Sequence, residues 1–256
     1  MDQGFVIYRG VPVHDLVEKT PETNTLNIGA TKHIAGVQAC LVNNIVSYEA
    51  EANGSLFQDI VPSRTMVSSQ SSMGSCVELE IHTEQAFSEL RPDTISLACL
   101  RGDPNAYTYL LPVERVIENM SDEEIETLQQ PLWKIGVDLS FRSSIDDTIR
   151  GPIPILYKED QGWRFVFDQD LMVGTTPEAK RLMLKIVDIY YEHRTSVCLT
   201  PGDILVIDNN RVVHGRSAFK ARFDGRDRFL VRCFGVNDLS KSEHARRGHM
   251  ILAKYS

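Results

Sequence analysis

Two potential metal ligands, His82 and Glu84, stand two residues apart in the run CVELEIHTE, in which apolar and polar residues alternate. Side chains two apart on a β-strand point to the same face. The alternation therefore predicts that His82 and Glu84 project together with Glu78 and Glu80. Burying such a row of carboxylates costs free energy, which a divalent cation would offset. One imidazole and one carboxylate are two of the three ligands in the 2-His-1-carboxylate triad that binds non-haem Fe(II).

An HxE pair alone is weak evidence for a metal site, because such pairs often arise by chance. The third ligand of the triad must come from another part of the chain. Among the seven histidines, His214 is the strongest candidate, since in IDNNRVVHGRS it follows a polar turn and an apolar pair. This pattern is typical of the start of a strand. Taken alone, His214 is interpreted more simply as an ordinary half-buried histidine. Together with His82 and Glu84, it completes a predicted metal site.

Two arginines, Arg228 and Arg232, lie on the same face of the predicted strand RFLVRCFGV. Arginines on an otherwise apolar strand need anionic partners, and a carboxylate is the preferred bidentate partner of a guanidinium. A co-substrate and a substrate that each carry a carboxylate would satisfy both arginines. Salt bridges to Glu78 or Glu80 are the structural alternative.

Strands at both ends of the chain, with helices between them, must position these residues. We expect strands at FVIYRGVPV, CVELEIHTE, TISLACLRG, DILVID and RFLVRCFGV, an apolar helix over 29–48, and helices that begin at the Ser121–Glu124 capping box and at Thr176-Pro177. Polar loops are expected over 63–75 and, as a mobile segment, over 139–152. This order indicates an α+β protein built on an antiparallel sheet or barrel.

Residues 1–256 are expected to form a single domain, because the sequence contains no internal repeat and no Ser/Gly-rich linker. It also lacks GxGxxG and GxxxxGK[ST], so a Rossmann dehydrogenase and a P-loop NTPase have no support.

The composition is that of a globular protein without a nucleic-acid or membrane partner. Of 256 residues, 42% are hydrophobic and 24% charged, which excludes disordered and collagen-like chains. The net charge of −8, from 27 Lys and Arg against 35 Asp and Glu, argues against nucleic-acid binding. No apolar stretch reaches the roughly 18 residues of a membrane span, and we expect no signal peptide. Five scattered cysteines without a CxxC pair predict reduced thiols in a cytoplasmic protein.

Several stretches of the chain together resemble the clavaminate-synthase-like Fe(II)/2-oxoglutarate oxygenases, and within them free L-lysine hydroxylases. The resemblance begins near Phe5 and is carried by SYEAE, FQDIVPS, VELEIHTEQAFSELRPD, SLACLRGDP, RGPIPIL, VFDQDLM and HGRSAFKARFDGRDRFL. It implies a double-stranded β-helix (jelly roll) core with flanking helices. Members of this family usually carry a longer N-terminal region, which residues 1–256 are expected to lack, and a longer lid than 139–152.

The resemblance also implies a role for individual residues at matching positions. The implied iron ligands are His82, Glu84 and His214. Arg228 matches the arginine that binds the distal carboxylate of 2-oxoglutarate, with Thr108 as its hydroxyl partner. The implied amino-acid contacts are Arg232 for the carboxylate, Asp168 and Asp170 for a cationic side chain, and, with weaker support, Gln58 and Gln70.

The implied reaction is hydroxylation of an unactivated side-chain carbon, C3 or C4, of free L-lysine. It uses Fe(II) and O2, and it converts 2-oxoglutarate to succinate and CO2. Three alternatives stay open at this point: a hydroxylase of L-arginine or another polar free amino acid, a non-catalytic jelly-roll protein that binds a carboxylate, and a nucleic-acid demethylase, against which the net charge argues. Assembly into a homo-oligomer is compatible with the sequence.

Overall fold

The computed structural model of the protein describes residues 3–13, 19–22, 28–142, 148–160 and 162–255. The strands are β1 Phe5–Tyr8, β2 Ile45–Tyr48, β3 Gln58–Ile60, β4 Leu79–His82, β5 Thr94–Arg101, β6 Tyr107–Pro112, β7 Trp133–Gly136, β8 Ile149–Ile153, β9 Leu156–Glu159, β10 Gly162–Phe165, β11 Met172–Gly174, β12 Thr195–Cys198, β13 Ile204–Asp208, β14 Val212–Arg216, β15 Phe229–Gly235, β16 Arg246–Arg247 and β17 Met250–Ile251. The helices are α1 Ile28–Leu41, α2 Val113–Glu118, α3 Asp122–Leu128, α4 Leu139–Arg142 and α5 Pro177–His193, with 3-10 turns at Ala52–Gly54, Leu239–Ala245 and Ala253–Tyr255.

The largest of the four sheets has eight strands and contains the first and the last strand of the described chain. Its order is β1-β13-β5-β15-β2-β17-β16, and β3 also pairs with β15. All neighbours are antiparallel except β17 and β2. Strands that are distant in the sequence thus lie side by side, as in the pairing of Val231 with Ala98.

The second-largest sheet has four antiparallel strands in the order β12-β6-β14-β4. Within it, His214 on β14 lies directly across from His82 on β4. Apolar side chains from both sheets, such as Ile81, Leu110, Leu205 and Leu230, belong to one buried cluster. The predicted combination of helices with antiparallel sheets is therefore confirmed. None of the helices in these ranges is both long and apolar enough to cross a lipid bilayer.

Helix starts agree with the sequence signals. Ser121 and Glu124 form the predicted capping box, in which the Ser121 hydroxyl accepts from the Glu124 N–H and the Glu124 carboxylate accepts from the Ser121 N–H. Thr176 caps α5 by accepting from the Ala179 N–H at 3.0 Å, and Pro177 occupies the first turn.

Two sequence-based expectations were wrong. The apolar stretch 29–48 is not one helix, because α1 ends at Leu41 and the chain turns through Asn44 into β2. The segment 139–152 is not simply a loop, because it contains α4 and the start of β8, where Ile149 pairs with Gly136. The part of that expectation that covers 143–147 lies outside the described residues.

Candidate active site

A cavity of about 730 Å³ is lined by strands of both large sheets, by the loop around 66–73 and by α4. All of the site residues expected from the sequence line this one cavity: Gln58, Gln70, His82, Glu84, Thr108, Asp168, Asp170, His214, Arg228 and Arg232. A concave site with a few convergent polar groups is the usual form of a small-molecule site.

His82, Glu84 and His214 form a compact ligand set. Each offers one ligand atom, and these atoms lie within 4.8 Å of one another. The two imidazole rings face each other across β4 and β14, with centroids 4.4 Å apart. Two imidazoles and a carboxylate that leave room on the cavity side fit a divalent transition-metal ion such as Fe(II).

The surroundings of both histidines suit metal binding. The Nδ1 atom of His82 lies 2.8 Å from the Glu80 carbonyl oxygen, which can only accept, so Nδ1 donates this hydrogen bond and Nε2 is the nitrogen that remains for a metal. Burial lowers the pKa of His214 well below its ordinary value, and the charges of His82 and Arg232 add to this effect. His214 is therefore neutral, and neutral imidazole is the form that ligates metals.

The backbone places Glu84 differently from the predicted continuous strand. β4 ends at His82, and the following residue, Thr83, bonds to the Phe167 carbonyl at 2.8 Å instead of to a strand of the sheet. Gln85 then has a φ of 52°, which is unusual for a residue with a side chain. Glu84 still reaches the cavity, but simple strand alternation does not place it there.

Gly215 lets β4 and α5 approach β14, the strand that carries His214, closely. A Cβ atom at this position would lie 2.7 Å from the Leu79 carbonyl oxygen and 2.9 Å from the Tyr190 hydroxyl. The glycine of the HGRS motif is therefore required by close contact, since any side chain there would displace β14 and His214 with it.

Arg228 lies just before β15 and is 6% exposed, with its guanidinium on the cavity. Its Nη2 atom is 3.5 Å from the Thr108 hydroxyl oxygen, which is the pairing expected from the sequence. Among the described residues it forms no ion pair, and burial lowers the pKa of its guanidinium. A buried arginine without a carboxylate partner fits an anionic ligand.

Arg232 has partners that the sequence did not predict. Its guanidinium bonds to Glu84 at 3.1 Å, to Glu51 at 2.9 Å and to the Gln58 side-chain oxygen at 2.6 Å. The expected alternative partner Glu78 instead pairs with Arg194. Within the described chain, the buried Nε2 atom of Gln58 has no hydrogen-bond partner, so this amide can donate to a carboxylate that lies beside Arg232.

Carboxylates line another part of the cavity wall. Asp168 is buried beside His82 and accepts from the Leu171 N–H at 2.8 Å, whereas Asp170 is exposed at the rim. Burial raises the pKa of Asp168 to about 6, although His82 opposes the shift. Glu80 also lines the cavity. Burial and the negative charge of the Asp170 carboxylate raise the pKa of Glu80. No arginine or lysine in the described ranges forms an ion pair with these three acids.

Asp170 and Gln70 both line the cavity, but their surroundings differ. Asp170 is exposed and does not cap the following helix, because Thr176 caps that helix itself. Gln70 lines the cavity, but its amide bonds to the backbone of Glu78 and Glu80 at 3.0 Å each. The amide of Gln70 therefore supports the edge of β4.

Sequence reasoning missed Glu51. Its side chain is 13% exposed, it lines the cavity, and it bonds to Arg232 and to Gln85. Burial raises the pKa of Glu51 to about 7, while Arg232 opposes and Glu84 adds to this shift. The only sequence signal was its place at the end of SYEAE, directly after a buried strand.

The family of this chain follows from comparison with known proteins. The model of the family described as Taurine catabolism dioxygenase TauD, TfdA family matches residues 1–234. The chain therefore belongs to the TauD/TfdA family of dioxygenases, and the resemblance inferred from its motifs is confirmed.

Individual relatives are similar over most of their length. The L-lysine 3-hydroxylase of Catenulispora acidiphila is 46% identical over 265 residues, which cover 100% of this chain and 74% of that protein. The crystal structure of asparagine oxygenase in complex with Fe(II), (2S,3S)-3-hydroxyasparagine and succinate has a TM-score of 0.88 at 29% identity, covering 98% of this chain and 80% of the other. The non-heme iron oxygenase OrfP in complex with Fe and alpha-ketoglutaric acid has a TM-score of 0.86 at 27% identity, covering 97% and 80%.

Proposed function

We propose that this chain is an Fe(II)- and 2-oxoglutarate-dependent hydroxylase of free L-lysine that attacks side-chain carbon C3. One observation carries the proposal: a single cavity joins a two-histidine, one-carboxylate set to two arginines and to three acids, Glu80, Asp168 and Asp170, that form no ion pair within the described residues. The 46% identity to an L-lysine 3-hydroxylase favours lysine over arginine and C3 over C4.

In this proposal, His82, Glu84 and His214 hold Fe(II). Bound iron supplies the activation of O2, which is coupled to the conversion of 2-oxoglutarate to succinate and CO2 and to transfer of one oxygen atom into a C–H bond of the substrate. Because the protein would supply only three ligand atoms, co-substrate and O2 could take further coordination positions. The crystal structures of asparagine oxygenase with Fe(II) and of OrfP with Fe support this choice of metal.

Arg228 binds the distal carboxylate of 2-oxoglutarate, and the Thr108 hydroxyl supports it. The buried guanidinium has no ion-pair partner in the described part of the chain, so a carboxylate would satisfy it without breaking an existing pair. A planar guanidinium also fixes the orientation of the ligand, because it can form two parallel hydrogen bonds to one carboxylate.

Arg232 and Gln58 bind the carboxylate of the amino acid. The free Nε2 atom of Gln58 and the guanidinium of Arg232 lie together, with Gln58 Oε1 and Arg232 Nη2 only 2.6 Å apart. We assign the α-ammonium to Glu51, because its carboxylate lies 2.9 Å from the same guanidinium. A ligand held by Arg232 through its carboxylate therefore carries its ammonium close to Glu51.

Asp168 binds the cationic end of the substrate side chain, and Asp170 supports it at the rim. Like charges held close together are unfavourable unless a cation lies between them. The ε-ammonium of lysine would be that cation, with Glu80 as a further neighbour. L-Arginine is the competing substrate, since a pair of acids accepts a guanidinium as well as an ammonium.

We further propose that residues 1–256 form one oxygenase domain with a double-stranded β-helix core, in which the two large sheets are the two halves. The order of strands supports this, because strands from both ends of the chain alternate in each sheet. A cytoplasmic location and a homo-oligomeric state are compatible with this proposal and stay predictions.

A substrate panel tests the function. The protein is incubated with Fe(II), 2-oxoglutarate, O2 and, separately, lysine, arginine, asparagine, aspartate and leucine, and the products are identified by NMR. We expect 3-hydroxylysine from lysine and no product from aspartate or leucine. A preference for a neutral or acidic amino acid would contradict the assignment of Asp168 to a cation.

Two variants test whether Asp168 binds the cationic side chain of the substrate. Asp168→Asn keeps an oxygen that can accept from the Leu171 N–H but removes the charge, so we expect loss of lysine turnover with residual decarboxylation of 2-oxoglutarate. Asp188→Asn is the matched control, because Asp188 is exposed on α5, and it should behave as the parent protein. Equal lysine turnover in both variants would refute the role of Asp168.

A further inference from the structure

The turn between β13 and β14 buries one amide side chain, Asn209, against the backbone of Glu84. Asn209 is 0% exposed. Its Oδ1 atom accepts from the Glu84 N–H at 2.7 Å, and its Nδ2 atom donates to the Glu84 carbonyl at 3.1 Å and to the Pro92 carbonyl at 2.7 Å. One side chain thus bonds to both peptide groups of a proposed metal ligand.

Glu84 depends on this contact because it lies outside the sheet. β4 ends at His82, and the backbone bends at Gln85, whose φ is 52°. In a regular strand, the ladder of the neighbouring strand would satisfy the N–H and carbonyl groups of Glu84. Here Asn209 takes the place of that neighbour. Without it, two buried peptide groups would lose their partners.

The same turn also leads into the third ligand. Asn209 precedes β14, on which His214 faces His82. A contact between Asn209 and Glu84 therefore joins the segment that carries one ligand to the strand that carries another. The separation of the ligand atoms within 4.8 Å depends on how these two segments are held together.

We propose that Asn209 is a positioning residue for the metal site: it sets the Glu84 carboxylate against His82 and His214. The proposal rests on the metal site of the proposed function and extends it to a residue that does not touch the metal. Groups that orient metal ligands typically contribute about 10- to 100-fold to metal affinity. We therefore expect loss of Asn209 to weaken metal binding by that factor.

The neighbouring Asn210 provides a matched control. Its Nδ2 atom donates to the Asp93 carboxylate at 2.7 Å, and within the described residues none of its hydrogen bonds goes to Glu84. Asn210→Ala therefore removes a side-chain hydrogen bond of the same length from the same turn. It perturbs the stability of the turn but leaves the Glu84 peptide groups bonded.

The experiment measures Mn(II) binding to the full chain by the loss of the free-ion electron paramagnetic resonance signal, without 2-oxoglutarate or amino acid. We expect Asn209→Ala to bind Mn(II) about 10- to 100-fold more weakly than the parent, and Asn210→Ala to bind as the parent does. Asn209→Asp is the second variant in case the alanine variant does not fold, because it keeps the shape and the acceptor for the Glu84 N–H. It loses both donated bonds, so it should also bind at least about tenfold more weakly.

The outcomes separate this inference from the proposed function. If the parent does not bind Mn(II), the proposed metal site itself is wrong. If the parent binds Mn(II) and the folded Asn209 variants bind it equally well, Asn209 has no positioning role. Equal losses in Asn209→Ala and Asn210→Ala would also overturn the inference, because a general loosening of the turn would then explain them. Melting temperatures by circular dichroism, measured on the same samples, confirm that each variant is folded.

Discussion

Replacing Arg228 with alanine removes the proposed anchor for the distal carboxylate of 2-oxoglutarate. The guanidinium is 6% exposed and borders the cavity, and within the described residues its one side-chain partner is the Thr108 hydroxyl at 3.5 Å. Burial disfavours its charge, as the lowered pKa indicates. Binding of a carboxylate would compensate this charge, so the variant should lose affinity for the co-substrate far more than it loses stability.

The size of the effect follows from the burial of Arg228. Removing one partner of a buried ion pair typically costs about 3–5 kcal/mol, which corresponds to a loss of affinity of about a hundredfold to a few thousandfold. Arg228→Lys should lie between the parent and alanine, because lysine keeps the charge but cannot form two parallel hydrogen bonds. Thr108→Val should cost no more than about 1.5 kcal/mol, or about tenfold, because it removes one neutral hydrogen bond.

Isothermal titration calorimetry of 2-oxoglutarate into the Mn(II)-loaded protein, under nitrogen, measures these differences directly. The expected order of affinity is parent, Thr108→Val, Arg228→Lys and Arg228→Ala. Thermal melts without co-substrate serve as the control, and they should show no large loss of stability in Arg228→Ala. An affinity of folded Arg228→Ala within about threefold of the parent would refute the assignment. A threefold loss is far smaller than the loss of about a hundredfold or more that is expected when a buried carboxylate has no partner.

Two further predictions concern the metal ligands and the acid stability of the fold. His82→Ala and His214→Ala should abolish turnover and reduce bound iron while the circular dichroism spectrum is retained; near-normal activity of either variant would contradict the ligand assignment. Glu124 accepts hydrogen bonds from Lys185 at 2.5 Å and Arg181 at 2.9 Å, and the Lys185 bond is the main cause that lowers the pKa of this carboxyl to about 2. Its stabilising contribution should therefore be complete above the ordinary pKa of 4.5 and be lost as the pH falls towards 2. Urea unfolding should separate Glu124→Gln from the parent at pH 7 and show a smaller difference near pH 3.

Local signals in the sequence were sufficient for much of the framework. The alternation around Leu79–His82 and Phe229–Gly235 predicted strands at the observed places, because side chains alternate between the two faces of a strand. The capping box at Ser121 and the threonine-proline pair at Thr176 predicted where helices begin, because these caps involve residues at most three positions apart.

Local signals failed where two elements share the same apolar character. The stretch 29–48 contains both α1 and β2, and periodicity does not distinguish a short buried strand from a buried helix. β2 is a strand because Val46 pairs with Phe234, a partner almost two hundred residues away, which no local pattern contains.

The sequence by itself was sufficient to predict the candidate reactive groups: His82, Glu84 and His214 as ligands of a metal, and Arg228 and Arg232 as partners of carboxylates. Their chemistry depends on residue type, and the family motifs assign them to positions. Only the tertiary structure decided how these groups are held. Glu84 lies beyond its strand and is fixed by Asn209, 125 residues further along the chain, and Arg232 pairs with Glu51, 181 residues away. Such partners meet only in the folded protein, because contacts between distant segments depend on the pairing of strands and leave no periodic trace in the sequence.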